Sequence, residues 1–186
     1  MQIFDKYNQL IYLVKTDLYR YAGEITFKSF LNTYIREPGF NVLVWMRIRS
    51  IVKSKVIGYI LFRKRIKFGI DIQTQTIGEG FYIGHFGQII VHNQAIIGVN
   101  CNISHGVTIG ISNRGKKMGV PIIGNYVYIA PGAKIFGGIK IGNNAVIGAN
   151  AVVNDDIPDN AVVVGIPAKI VSYKGSDGFI NNVLNK

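Results

Sequence analysis

From Ile77 onward an aliphatic residue recurs at every sixth position, with few interruptions. Ile77, Ile83 and Ile89 open the series, Ile97, Ile103 and Ile109 resume it, and Ile123, Ile129, Ile135, Ile141, Ile147 and Val153 complete it. Glycine follows directly at Gly78, Gly84, Gly98, Gly110, Gly124, Gly142 and Gly148. A period of six matches neither the 3.6 of an amphipathic helix nor the alternation of a lone strand. It is the signature of a parallel β-helix, in which each aliphatic plugs the axis of a triangular coil. Three hexads close one coil, so equivalent residues stack at the strand spacing of about 4.8 Å.

The repeat does not cover the whole chain. Residues 1–70 read as an α-helical N-terminal region, with Leu10, Leu13, Val14 and Leu18 at three- and four-residue spacing and a break at Pro38-Gly39. Residues 71–171 read as the β-helix, interrupted twice. Ile89 and Ile97 are eight residues apart, which places a two-residue bulge with His92 between them. Ile109 and Ile123 are fourteen apart, and the intervening segment 111–121 is a polar, glycine-containing loop thrown off a corner. Residues 172–186 form a C-terminal extension past the last hexad.

Charge follows the same division. Of the net +11, residues 1–70 carry +9 (13 Lys/Arg against 4 Asp/Glu) and residues 71–186 carry +2 (8 against 6). A basic front end suits an anionic substrate or an acidic membrane surface, with residues 42–67 as the segment placed to touch lipid. No nucleic-acid-binding motif accompanies it. The single cysteine, Cys101, excludes an intramolecular disulfide and occupies the small-residue position that Ala133, Ala145 and Ala151 fill in other hexads. Without a signal-peptide pattern, and with no apolar stretch long enough to span a bilayer, the expectation is a cytoplasmic protein.

Assigning hexads to three faces in order puts His85, His105, Pro131 and Ala149 at equivalent positions after Ile83, Ile103, Ile129 and Ile147. Two histidines then stack one rung apart, an arrangement that disfavours double protonation. A neutral imidazole is a competent general base near pH 7. The separations among His85, His92 and His105 match no recognised zinc-ligand set, so no metal is expected.

At these residues the chain resembles the hexapeptide-repeat acyltransferases, within them the serine acetyltransferase-like group, and most nearly its polysaccharide-biosynthesis branch of colanic acid-type acetyltransferases. The matching stretches are Asp17–Tyr21 (DLYRY), Glu37–Phe40 (EPGF), Tyr82–His85 (YIGH), Asn102–Gly110 (NISHGVTIG), Asn113–Lys117 (NRGKK) and Val163–Ile170 (VVGIPAKI). The resemblance implies a left-handed β-helix, a homotrimer with active sites in the clefts between prisms, and acetyl-CoA as donor. It implies that His85 is the general base and Asp71 the carboxylate that orients it, although the connecting segment is one residue short. It places the cofactor along Pro131, Gly132, Ala149, Ala168 and Lys169, and the acceptor near Gly84, His105, Arg114 and Lys117.

Gly84 stands where serine acetyltransferases carry an aspartate for the serine amine, and Gly119-Val120 where they carry an Arg-His pair for its carboxylate. An unpartnered zwitterion is costly to desolvate. The expected acceptor is therefore a saccharide hydroxyl of a capsule or exopolysaccharide precursor. Serine O-acetylation for cysteine biosynthesis is the alternative, and a catalytically silent scaffold in a polysaccharide-synthesis complex is the non-enzyme reading.

Overall fold

The computed structural model describes residues 3–73 and 76–184. Helices α1 (Ile3–Ala22), α2 (Phe27–Arg36), α3 (Pro38–Ile51) and α4 (Lys55–Phe68) come first. Each begins or ends on a recognisable signal. Thr26 and Ser29 form a reciprocal capping box at the start of α2. Pro38 at the first turn of α3 holds Glu37 extended. Gly69, at φ +63°, ends α4 in a left-handed cap and turns the chain into the prism.

The prism has three parallel faces. A six-stranded sheet orders β2 (Tyr82–Ile83), β5 (Asn102–Ile103), β8 (Tyr128–Ile129), β11 (Val146–Ile147) and β13 (Val162–Val164), closed by β14 (Lys169–Ser172), the one antiparallel member. A five-stranded sheet stacks β1 (Ile70–Ile72), β3 (Ile89–Val91), β6 (Thr108–Gly110), β9 (Lys134–Phe136) and β12 (Val152–Val153). A three-stranded sheet holds β4 (Ile96–Ile97), β7 (Ile122–Ile123) and β10 (Lys140–Ile141), extended by bridges from Ile77 and Ile157. Successive strands visit the three faces in turn, as the hexads require. Ile83, Ile103, Ile129 and Ile147 align in register, as do Ile97, Ile123 and Ile141, and all are buried on the axis.

One assignment is corrected. Ile109 pairs with Val91, and Ile89 pairs downward with Ile70. The two surplus residues therefore lie between Ile83 and Val91, at the corner that carries His85, and not between Ile89 and Ile97. The amide of Gly106 donates to Gly87 O while that of Gly132 donates to His105 O, so Gly87 is the rung-mate of His105. His85 and Phe86 are the extra pair. His92 directly follows β3, with its Nδ1 accepting from the Gln94 amide at 3.2 Å.

The helices are bolted to the lowest coil. Asp17 and Arg47 form a buried pair (2.9 Å), with Arg47 donating also to Ile77 O and Gly78 O, and Asp17 accepting from the Phe81 amide. Arg20 reaches Gly80 O and Asn102 Oδ1. Gly39 lets α3 approach β2: a Cβ there would lie 2.7 Å from Ile83 O and 2.9 Å from the Tyr21 hydroxyl. These contacts give DLYRY and EPGF their structural role. The C-terminal extension returns down the six-stranded face. Ser176 donates to Tyr126 O, Phe179 packs 4.7 Å from Tyr128, and Asn181 O accepts from Arg20.

Candidate functional site

Where the six-stranded face turns into the five-stranded face, the prism has an edge on which sequence-selected residues collect. His85 and His105 lie there with ring centroids 5.7 Å apart, edge to face, both exposed. Pro131, Gly132 and Ala149 occupy the next rungs, and the Gly165–Ala168 turn closes the edge, held by Val152 N to Gly165 O and Ala168 N to Val152 O. Four rung spacings separate the first from the last, about 19 Å at 4.8 Å each. The bulge lifts His85 off the regular corner, so its imidazole leans across the path of His105.

The backbone along this edge is not equally available. Pro131 has no N–H, and the Gly132 amide is engaged by His105 O at 3.0 Å. Pro131 O in turn accepts from Asn150 N. Among the described residues the Ala149 amide makes no backbone hydrogen bond, which leaves it as the free donor of the three. Lys169 is exposed at the start of β14.

Two expected partnerships are not formed. Asp71 does not meet His85: its carboxylate is paired with Arg65 and accepts from Gln73 Nε2 at 3.0 Å. Its strand neighbour is Ile90, five residues beyond His85. Thr74 and Gln75, in the shortened connection, lie outside the described residues. Lys117 is likewise occupied. Its ammonium lies 2.7 Å from Asp156 and 3.7 Å from Asp155 on the coil above, and this folds the 111–121 loop onto its own chain. Ser112 and Gly119 close the loop's neck with a pair of backbone bonds. Arg114 is exposed at the tip. The loop leaves the corner between the five- and three-stranded faces, so within one chain it is not on the histidine edge.

Two residues that the hexad pattern did not single out join the site. Lys134 on β9 donates to Gly106 O and to Thr108 Oγ1 (3.2 Å), placing a half-buried ammonium beside the His105 corner. Its signal was weak, since an outward lysine on a strand reads as a solvated cation. Glu37, at the start of α3, lies close enough to the β2 exit to act on it. The Tyr82 phenol is pushed up by burial and then by the Glu37 charge, against a lowering by Arg20. The Tyr82 ring lies 3.3 Å from where a Gly84 Cβ would stand. Glu37 is thus a carboxylate whose charge is felt on the strand leading to Gly84, from a position that no linear spacing reveals.

Cys101 is fully buried, with Sγ 3.1 Å from Gly124 O, and burial pushes its thiol up to about 12. That suits the wall position and removes it as a nucleophile. Among the described residues no three His, Cys, Asp or Glu side chains gather to hold a metal ion. No helix of the described residues is long and apolar enough to cross a membrane. Val52–Ser54 break the segment expected to touch lipid into two helices: Val42, Leu43 and Val44 of the first are buried, while Val56, Tyr59, Phe62 and Ile66 of the second are exposed.

A family model for the bacterial transferase hexapeptide (six repeats) matches residues 121–155. A serine acetyltransferase of Bacillus pumilus is 34% identical over 165 residues, 85% of this chain and 74% of that protein. One from Synechococcus elongatus is 33% identical over 146 residues, 74% of this chain and 59% of the relative. Among solved structures, Neisseria gonorrhoeae serine acetyltransferase superposes with a TM-score of 0.73 at 31% identity, over 89% of this chain and 66% of that one. The chain thus spans only 59% of the Synechococcus relative and just under two thirds of the Neisseria chain. These likenesses overturn the polysaccharide reading. The relatives are named serine acetyltransferases, and nothing in them supports the colanic acid-type branch or a saccharide acceptor.

Proposed function

We propose that this chain, which belongs to the hexapeptide-repeat acyltransferase family, moves the acetyl group of acetyl-CoA onto the hydroxyl of serine. The observation that carries the reading is the histidine edge: two exposed imidazoles 5.7 Å apart at one end of a rung-by-rung track. A Brucella abortus serine acetyltransferase solved in complex with coenzyme A superposes on 93% of the chain with a TM-score of 0.77 at 25% identity. In this reading the donor lies along Ala149 and the Gly165–Ala168 turn, with the free Ala149 amide as a hydrogen-bond donor and Lys169 as a point charge for phosphate.

His85 takes the proton from the serine hydroxyl as its oxygen attacks the thioester carbonyl. The tetrahedral oxyanion collapses, the C–S bond breaks, and the imidazolium returns the proton to the departing thiolate. Glu37 pairs with the serine ammonium in place of the carboxylate that Gly84 lacks. Arg114 meets the serine carboxylate from the loop of an adjoining copy, since its own histidine edge is at a different corner. A cleft between copies also gives the exposed histidines the cover that a single prism does not provide.

Coenzyme A release is measured with purified protein, acetyl-CoA and either L-serine or N-acetylserine, which keeps the hydroxyl but not the ammonium. Serine-dependent release is expected, with little from N-acetylserine. Glu37→Gln raises the KM for serine by roughly tenfold or more, from the loss of a charge-assisted pair, and leaves that for acetyl-CoA unchanged. Acetyl-CoA binding without serine-dependent turnover would refute the acceptor assignment.

A further inference from the structure

A cavity of about 1030 Å³ lies away from the histidine edge. It opens under the lowest coil, where α1, α3 and α4 meet β1 and the corner carrying Gly78, Glu79 and Val99. The reading above uses none of it. Its lining combines an aliphatic wall with an excess of cations: Lys6, Arg49, Lys53 and Arg65. Arg47 also borders it but is fully engaged by Asp17. Arg65 is balanced by Asp71, yet its Nε is buried and has no hydrogen-bond partner. Burial lowers its guanidinium from the ordinary arginine range. Arg49 is half-buried, lies 3.4 Å from where a Gly58 Cβ would stand, and has no ion pair or hydrogen bond among the described residues. The absent Cβ at Gly58 leaves room for that guanidinium against α4. Among the described lining residues Glu79 is the carboxylate, and it accepts from the Tyr12 hydroxyl at 3.0 Å.

A half-buried guanidinium without a counter-charge is unfavourable, and arginine's planar fork suits a two-oxygen anion. The wall of Leu13, Leu43, Met46, Leu61, Ile72 and Ile77 offers aliphatic surface and no aromatic ring on which a base could stack. We infer that this cavity binds an anionic amphiphile, a phosphate or carboxylate head held by Arg49 and Lys53 with an aliphatic body against the half-buried Leu13 and Met46. The site lies under the helices that anchor the lowest coil, so an occupant stabilises the junction between helices and prism.

Thermal unfolding of the full chain tests this, with three probes at matched millimolar concentration: octyl phosphate, inorganic phosphate and neutral octyl glucoside. Octyl phosphate is expected to raise the Tm most, phosphate less, and octyl glucoside not at all. The double variant Arg49→Gln/Lys53→Gln breaks no side-chain hydrogen bond among the described residues. It is expected to weaken octyl phosphate binding roughly tenfold or more while leaving coenzyme A release unchanged. Equal protection by the neutral amphiphile makes the cavity a greasy cleft and overturns the assignment. So does undiminished protection in the double variant, or no protection at all. Phosphate matching octyl phosphate rejects the aliphatic subsite. Since the readout is binding, the outcome does not depend on which acceptor the histidine edge serves.

Discussion

The coils from Ile97 to Val164 and the coil beneath them obey different arithmetic. In the upper coils inward residues recur at six except across Val153 and Ile157, which are four apart, corners are turned by left-handed residues such as Asn144 and Asn150, and the one insertion is a loop that folds back on its own chain. In the lower coil Ile83 and Val91 are eight apart, and the surplus pair is His85 and Phe86. Regular stacking makes a strong scaffold but presents every corner alike. A side chain that must lean out of the column needs extra backbone, and that is what the bulge provides. In the proposed reading this departure from the repeat carries the general base.

Replacing His85 by alanine separates the two regions most sharply. Turnover is expected to fall by about 10²–10⁴, the usual contribution of a general base. The Tm should barely move, because the exposed ring supports no packing. Steady-state coenzyme A release alongside thermal unfolding reads both. Normal turnover in this variant would remove the histidine edge from the mechanism. Next comes the bolt between helices and lower coil. Asp17→Ala leaves Arg47 buried without its counter-charge, which costs about 3–5 kcal/mol. A urea titration should show a lower midpoint, and a loss below 1 kcal/mol would mean that water relieves Arg47.

Much of the fold was legible because six-residue periodicity is a local signal, repeated often enough to assign the faces. Ile97, Ile123 and Ile141 could be placed on one face from counting alone, whereas the rung that counting gave to His85 belongs to Gly87, and His85 meets His105 from the bulge. Counting failed where two placements of an insertion satisfy the same total. Ile89 and Val91 are both buried, and only the pairing of Val91 with Ile109 shows which of them belongs to the axial series. The acceptor side was hidden for another reason. Gly84 looked like a lost carboxylate, and the Glu37 proposed to replace it stands 47 residues earlier, at the start of a helix that Gly39 lets approach Ile83. Asp71 was misread in the opposite sense: near in sequence to His85, it is claimed by Arg65 from α4. Long-range approach of helices to the coil is not written in any single hexad.

The smallest effect concerns the upper region's own irregularity. The Asp156 carboxyl is held below the usual aspartate range by its bond from Lys117 and then by the Lys140 amide, and Lys117 is raised by the same bond. The depressed acid contributes above its unfolded value of 3.8, and its contribution fades as pH falls through the folded value. The raised base contributes below 10.5 and loses its contribution as pH rises through its folded value. Between these limits the loop stays clasped. Both groups are exposed, so the clasp is weak and screened by salt. Asp156→Asn at pH 7 should therefore speed tryptic cleavage after Arg114 and Lys116 only modestly, roughly two- to fivefold, with the Tm unchanged. A much larger increase would mean that the loop depends on this one contact. No increase would mean that the Ser112–Gly119 neck holds it alone, and that the loop is as much a part of the regular stack as the coils it joins.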